Sequence, residues 1–205
     1  MTGVSRETRQ RLNVFVSEFH RWNARHNLTS KADDVAVIER HVSDSIQLAN
    51  FAPAVCDWVD VGSGGGFPGA ILAATFADDP DRSVTLIESN AKKCAFLRHV
   101  CLAMNAPVTV LNERVERSVV SRDAPTIVSA RAVASLTRLC KLLQPWLQGG
   151  TTGLFPKGRA YEDELDEARG SWEFDCRPHR SCTASDSVIL EIANVRPKTA
   201  AIVGS

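Results

Sequence analysis

The chain has 205 residues, 44% hydrophobic and 23% charged, which is the profile of a globular protein with one sizeable core. No apolar run is long enough to span a bilayer, and the N-terminal stretch MTGVSRETRQRLNVF lacks the apolar centre of a signal peptide, so a cytoplasmic protein with no membrane partner is expected. Formal net charge is zero, which neither requires nor forbids nucleic acid, because local patches set binding more than totals do.

Residues 5–24 read as an amphipathic helix, with Leu12, Phe15, Val16, Phe19 and Trp22 at helical spacing. NARHNLTS breaks the pattern. A second helix follows from about Asp33, a suitable cap, to about Asn50. Its apolar stripe is Val35, Ile38, Val42, Ile46 and Ala49, and Pro53 marks the boundary beyond it. Strands and helices then alternate. WVDV, SVTLIE, VTVLN, TIVSA, a strand within TTGLFPKG, and SVILEIA read as strands. The segment after Pro68, NAKKCAFLRHVCLAMN, SLTRLCKLLQPWL and YEDELDEA read as helices. This alternation predicts a largely parallel sheet covered on both faces. SRDAP and CRPHRSCTASDS read as surface loops.

The six cysteines include no CxxC pair, and no Cys/His cluster has zinc-ligand spacing. Buried reduced thiols and no metal are expected. Cys94 and Cys101, seven apart, fall on one helix face.

The stretch WVDVGSGGGFPGAIL, residues 58–72, carries five glycines directly after a strand. A strand, a glycine-rich turn and a helix start let a ligand approach the backbone. A Walker A loop is excluded, since no Lys-Ser or Lys-Thr follows the glycines. A dinucleotide fingerprint is nominally present as Gly64-x-Gly66-x-x-Gly69, but the loop's first glycine is Gly62. DVGSGGG is similar to the first motif of class I methyltransferases. Asp60 there would face the cationic S-adenosylmethionine, and Glu88, ending the next strand, would accept the ribose hydroxyls.

NLTS, RHVSDS, VDVGSGGGFPG, SARAVASL and FPKG occur in that order. Together they resemble the bacterial small-subunit ribosomal RNA (guanine-N7)-methyltransferases, formerly called glucose-inhibited division protein B. The resemblance runs from about Phe19 to about Asn194. It implies an α/β, Rossmann-like, doubly wound class I fold with a mostly parallel sheet. Residues 1–52 would form an N-terminal helical extension and 53–205 the methyltransferase domain, as one structural unit. It implies S-adenosylmethionine contacts at Gly62, Phe67, Val115, Glu116 and Arg131, with Arg131 also catalytic, near the transferable methyl. The methylated atom would be N7 of a guanine, position 527, in 16S rRNA. The partner would be that RNA or a small-subunit precursor; apart from the resemblance, a monomer is expected. The triple glycine replaces a common Gly-Pro-Gly, SARA differs slightly around Arg131, and 171–187 carries no nameable motif, so no role is assigned there.

Guanine N7 is an exposed in-plane acceptor and reacts without losing a proton. The enzyme then needs alignment rather than a strong base, and alignment alone can supply roughly 7–11 kcal/mol. No Pro-Cys or Thr-Cys nucleophile ends a strand, and no Asn-Pro-Pro-Tyr-like tetrad is present. His41, Asp44 and Ser45 share a helix face and, with Asn27 and Thr29, either rim the methyl pocket or fasten the helical leader to the sheet. Lys157 and Arg159 are candidate RNA-phosphate contacts or a solvated loop pair. Lys92, Lys93, Arg98, Arg114 and Arg117 supply further basic charge on that side, and the acidic 162–175 segment is expected to face away from RNA. The competing readings are a class I methyltransferase acting on another RNA or a small molecule, and a non-catalytic protein that binds S-adenosylmethionine or a nucleotide.

Attack by a ring nitrogen requires no enzyme nucleophile. Replacing each cysteine singly with Ala or Ser is therefore expected to leave methyl transfer detectable. A folded variant that binds cofactor normally yet transfers nothing would instead indicate covalent catalysis.

Overall fold

The computed structural model describes residues 4–26, 28 and 35–198; Asn27, Thr29 and the expected Asp33 cap lie outside the described residues. Helix α1 (Arg6–His26) turns Leu12, Phe15 and Phe19 inward at spacings of three and four, and all three are fully buried. Helix α2 (Val35–Ile46) buries Ile38 and Val42 in the same way, and a 3-10 turn (Gln47–Phe51) adds Leu48. Among the described residues no helix is long and apolar enough to cross a membrane.

The alternating part of the chain forms β1 (Cys56–Val61), α3 (Gly69–Phe76), β2 (Arg82–Glu88), α4 (Ala91–Ala103) and β3 (Thr109–Asn112). It continues through α5 (Val115–Ser121), β4 (Ile127–Ala130), α6 (Leu136–Leu147), β5 (Thr152–Lys157) and α7 (Tyr161–Ser171). The hairpin β6 (Trp172–Arg180) and β7 (Val188–Pro197) completes a seven-stranded sheet of order β3-β2-β1-β4-β5-β7-β6. All pairs are parallel except those made by β7, which runs antiparallel to β5 and β6. Strand order reverses at β1, between β2 and β4, so a crevice opens at their carboxyl ends.

Two expectations fail. Residues 115–121 form a helix between β3 and β4 that the sequence did not announce, because its seven residues offer barely one repeat of apolar spacing. Residues 172–180, read partly as loop, form a strand. Alternation is present, with Trp172, Phe174 and Cys176 half-buried, but Pro178 argued against a strand. An edge position tolerates the proline, since β6 pairs on one side only.

The two sheet faces carry separate cores. Trp58 packs with α1, α3 and α4 side chains, whereas Val59 and Val61 pack with α6 and β7. The leader helices share the first core: Phe15 and Phe19 lie in one cluster with Leu86 and Phe96. Arg11 also donates twice to Asp78 at 2.6 Å, tying α1 to the end of α3.

Gly69 sets the distance between α3 and the sheet, because a Cβ there would lie 2.6 Å from Asp60 Oδ2 and would also strike Leu86. Gly69→Ala is expected to destabilise the fold by about 1–3 kcal/mol through overpacking. Urea unfolding of the variant beside the wild type measures it.

Candidate active site

The glycine turn after β1 needs its glycines for backbone reasons. Gly62, Gly64 and Gly66 have φ of +66°, +52° and +92°, which side chains rarely adopt. The space above Gly62 is not open, since a Cβ there would lie 2.6 Å from Val133 Cγ2. Glu88 fixes the turn. Its Oε2 accepts the Gly64 N–H at 3.0 Å and its Oε1 the Asn90 N–H at 2.7 Å. A carboxylate oxygen has a second lone pair, so both retain acceptor capacity for hydroxyls.

Asp60 differs from the sequence reading. It is 1% exposed and does not face an open pocket. Trp58 Nε1 donates to Ser129 Oγ at 2.9 Å, and Ser129 Oγ donates to Asp60 Oδ1 at 2.6 Å, so a polar relay joins β1 to β4 inside the core. Burial pushes the Asp60 carboxyl up to about 6, against the opposing pull of the Ser129 and Ser63 hydroxyls, the Gly69 backbone and the Arg131 charge.

Two cavities open at the strand ends. The smaller, about 200 Å³, is lined by Gly62, Glu88, Val115, Glu116, Val133 and Ala134 among others. It brings together four sequence-predicted cofactor residues. The larger, about 420 Å³, is lined by His41, Asp44, Gln47, Arg131 and Lys157 with the backbone around Pro156 and Gly158. The post-β4 segment separates the two, with Arg131 and Ala132 on one side and Val133 and Ala134 on the other.

Arg131 is placed by the ring of Phe67. Its guanidinium carbon lies 5.1 Å from the ring centroid, and its Nη1 lies 3.2 Å from His41 Nδ1. Burial, then the Arg131 charge, lowers the His41 pKa, so the imidazole is neutral at pH 7 and Nδ1 accepts from Arg131. Phe67 is 5% exposed, its ring lying against Phe15, Phe19, His41 and Arg131. A ligand at the turn would therefore meet loop backbone rather than this ring.

Asp44 accepts a short hydrogen bond from Thr183 Oγ1. Ser45 instead back-bonds to the His41 carbonyl at 2.7 Å and is buried, away from the rim. Lys157 is no solvated loop cation, because its side chain is 10% exposed and its ammonium pairs with Glu164 at 2.7 Å. Arg159 is exposed, 3.5 Å from Asp186, and so is not a companion of Lys157. Of the other basic side chains, Arg98 donates to the Val110 carbonyl at 2.9 Å and Arg117 lies 3.6 Å from Glu113.

Sequence reasoning missed Gln47 and the 181–187 loop. Gln47 Nε2 donates to Ser181 Oγ at 3.2 Å, and Gln47 Oε1 accepts the Cys182 N–H at 3.0 Å. Ser181 and Ser187 thereby line the larger cavity. Gln47 follows Asp44 by three residues, which was a usable signal; the loop offered none. The cysteines are free thiols, and burial raises Cys101 and Cys140 to about 12 and Cys56 to about 11.

Comparison with known proteins gives the chain's family and its fold. Residues 8–191 match the family model described as rRNA small subunit methyltransferase G. The ribosomal RNA small subunit methyltransferase G of Brucella ovis is 43% identical over 196 residues, spanning 96% of this chain and 92% of that protein. Among solved structures, the ribosomal protein L11 methylase of Lactobacillus delbrueckii subsp. bulgaricus superposes with a TM-score of 0.56 at 15% identity, covering 74% of this chain and 76% of that one. A variant of MtNAS in complex with S-adenosylmethionine gives 0.57 at 12% identity, covering 88% and 72%. These structural likenesses establish the class I methyltransferase fold.

The buried Asp60 carboxyl titrates near 6 in the folded chain against 3.8 unfolded. Between those values the folded state holds a proton that the unfolded state has released, so this residue makes stability fall as pH rises from about 4 to about 6. Asp60→Asn keeps an acceptor for Ser129 and removes the titration. Relative to wild type, the variant should gain on the order of 3 kcal/mol between pH 4 and pH 7. Urea unfolding at both pH values reads the difference.

Proposed function

The chain belongs to the rRNA small subunit methyltransferase G family, and from that membership we propose that it transfers a methyl group from S-adenosylmethionine to N7 of a guanine, position 527, in 16S rRNA. The observation that carries this reading is the pair of adjoining cavities at the carboxyl ends of β1, β2 and β4, one built around Glu88 and the glycine turn, the other around Arg131 and a neutral His41.

The residues around the smaller cavity suit the cofactor's ribose and adenine. Glu88 keeps one lone pair on each oxygen for the ribose hydroxyls while it holds the turn. Val115 and Glu116, at the start of α5, line the same cavity and are the candidates for the adenine edge. When bound, S-adenosylmethionine supplies an electrophilic methyl carried on a sulfonium.

The larger cavity fits the acceptor. Guanine N7 offers a lone pair in the ring plane, and no proton has to leave before it attacks. The side chains present suit that requirement: His41 is neutral, its Nδ1 is occupied by Arg131, and Asp44 is engaged by Thr183. Arg131 and His41, braced on Phe67, orient the base. Transfer leaves the purine with a positive charge, and the Asp44 carboxylate lines the cavity to complement it. Arg159 remains as an exposed candidate for RNA phosphate, whereas Lys157 lines the acceptor cavity while paired with Glu164. The substrate is the RNA or a small-subunit precursor in the cytoplasm.

The test is mass mapping of rRNA from cells lacking the protein. A single guanine N7 methyl should be missing from 16S rRNA and return with the gene; an unchanged methylation map would overturn the reading.

Glu88→Gln is expected to weaken S-adenosylmethionine binding roughly tenfold or more, since hydrogen bonds to a charged acceptor contribute about 1.5–3 kcal/mol. The amide would also turn an N–H donor toward the Gly64 or Asn90 N–H. Calorimetry measures the affinity, and normal binding with failed transfer to RNA would move Glu88 to the acceptor side.

A further inference from the structure

The segment Arg131–Ser135 is the wall between the two cavities; Arg131 stacks on Phe67 and Ala134 packs on the second core, but the rest of it is little covered. Ala132, Val133 and Ser135 are exposed, and Ala132 sits at φ +55°, a left-handed conformation uncommon for alanine. At its C-terminal end the wall is tied by charge. Glu164 Oε2, on α7, accepts the Leu136 N–H at 3.0 Å. The same oxygen accepts from Lys157 Nζ at 2.7 Å, and Lys157 Nζ also donates to the Ala134 carbonyl at 3.3 Å. Both side chains are largely withdrawn from water, 10% exposed for Lys157 and 30% for Glu164, so their attraction is screened less than that of a surface pair.

We propose that Glu164 is a positioning residue for methyl transfer, holding the post-β4 wall through Lys157 and the Leu136 amide so that Arg131 faces the acceptor cavity and Val133 stays over Gly62. The role rests on reading the two cavities as acceptor and cofactor sites. It also gives the acidic helix α7 an inward task, because one of its carboxylates ties the end of β5 to the start of α6. A displacement of about 1 Å in such a wall misaligns donor and acceptor and can cost about a hundredfold in rate.

The test compares Glu164→Ala, Glu164→Gln and, as control, Glu167→Ala. Glu167 lies on the same helix and is exposed, and the hydrogen bond it accepts, from Thr137 Oγ1 at 3.3 Å, falls outside the wall. Glu164→Ala should lower kcat for RNA methylation at least roughly tenfold at saturating cofactor and RNA. Hydrogen exchange at Ala134, Ser135 and Leu136 should accelerate in the same variant without cofactor or RNA. Glu164→Gln keeps an acceptor for Leu136 but loses the charge that holds Lys157, so it should fall between, and it carries the test if the alanine variant does not fold. Glu167→Ala should stay within about twofold on both readouts. A folded Glu164 variant with wild-type kcat, or with unchanged exchange across 134–136, overturns the proposal. If the wild type methylates no rRNA, the substrate reading fails on its own, and the exchange data still decide whether Glu164 holds the wall.

Discussion

The ring of Phe67 is the joint on which the site is assembled. It lies 5.2 Å and 5.4 Å from the rings of Phe15 and Phe19 on α1, 5.4 Å from His41 on α2, and 5.1 Å from the Arg131 guanidinium beyond β4. Each aromatic pair contributes about 0.5–1.5 kcal/mol beyond burial, and a partly desolvated cation over a ring about 0.5–2 kcal/mol. The larger consequence is geometric. One side chain in the glycine turn locates the helical leader, the turn itself and the arginine of the fourth strand relative to one another. The leader is therefore a wall of the site: Phe15 and Phe19 of α1 and His41 of α2 all lie against Phe67, and His41 meets Arg131 there.

A second constraint lies beneath the turn. Asp60, Ser129 and Trp58 join β1 to β4 where the strand order reverses, and Gly69 lets α3 close over the Asp60 carboxylate. The buried acid is costly to ionise. It is kept in place by a hydroxyl partner and by the Arg131 charge, so the interior of the sheet and the cavity above it are coupled electrostatically. The far side of the larger cavity comes from the opposite end of the chain. The 181–187 loop, which joins the antiparallel hairpin, docks on Gln47 and Asp44 through Ser181, Cys182 and Thr183. Leader and hairpin thus meet across the crevice.

The alternating strands and helices between β1 and β5 were legible because each has a period and a boundary residue. Two pieces were not. The α5 helix is too short for periodicity to register, and the β6 strand is disguised by Pro178 and by its arginines and histidine, which only an exposed edge accepts. The turn's glycines and Glu88 were legible for a different reason: a left-handed φ and a strand-end acid have few substitutes. Lys157 misled, because a lysine at the end of that strand reads as half of a solvated pair with Arg159 until Glu164, seven residues on, folds back over it.

By itself, then, the sequence determined the doubly wound sheet, the turn after the first strand, and the family to which NLTS, RHVSDS and FPKG belong. Those are local patterns, fixed by periodicity, glycine conformations and short-range spacing. Only the tertiary structure decided which side chains face one another: that His41 meets Arg131 ninety residues away, that Asp60 turns into the core instead of the pocket, and that Lys157 and Glu164 brace the wall between two cavities. Such pairings depend on how the α1–α2 leader and the α7–β6–β7 end pack onto the sheet, and that packing is set by burial of apolar faces from distant parts of the chain, which no local spacing records.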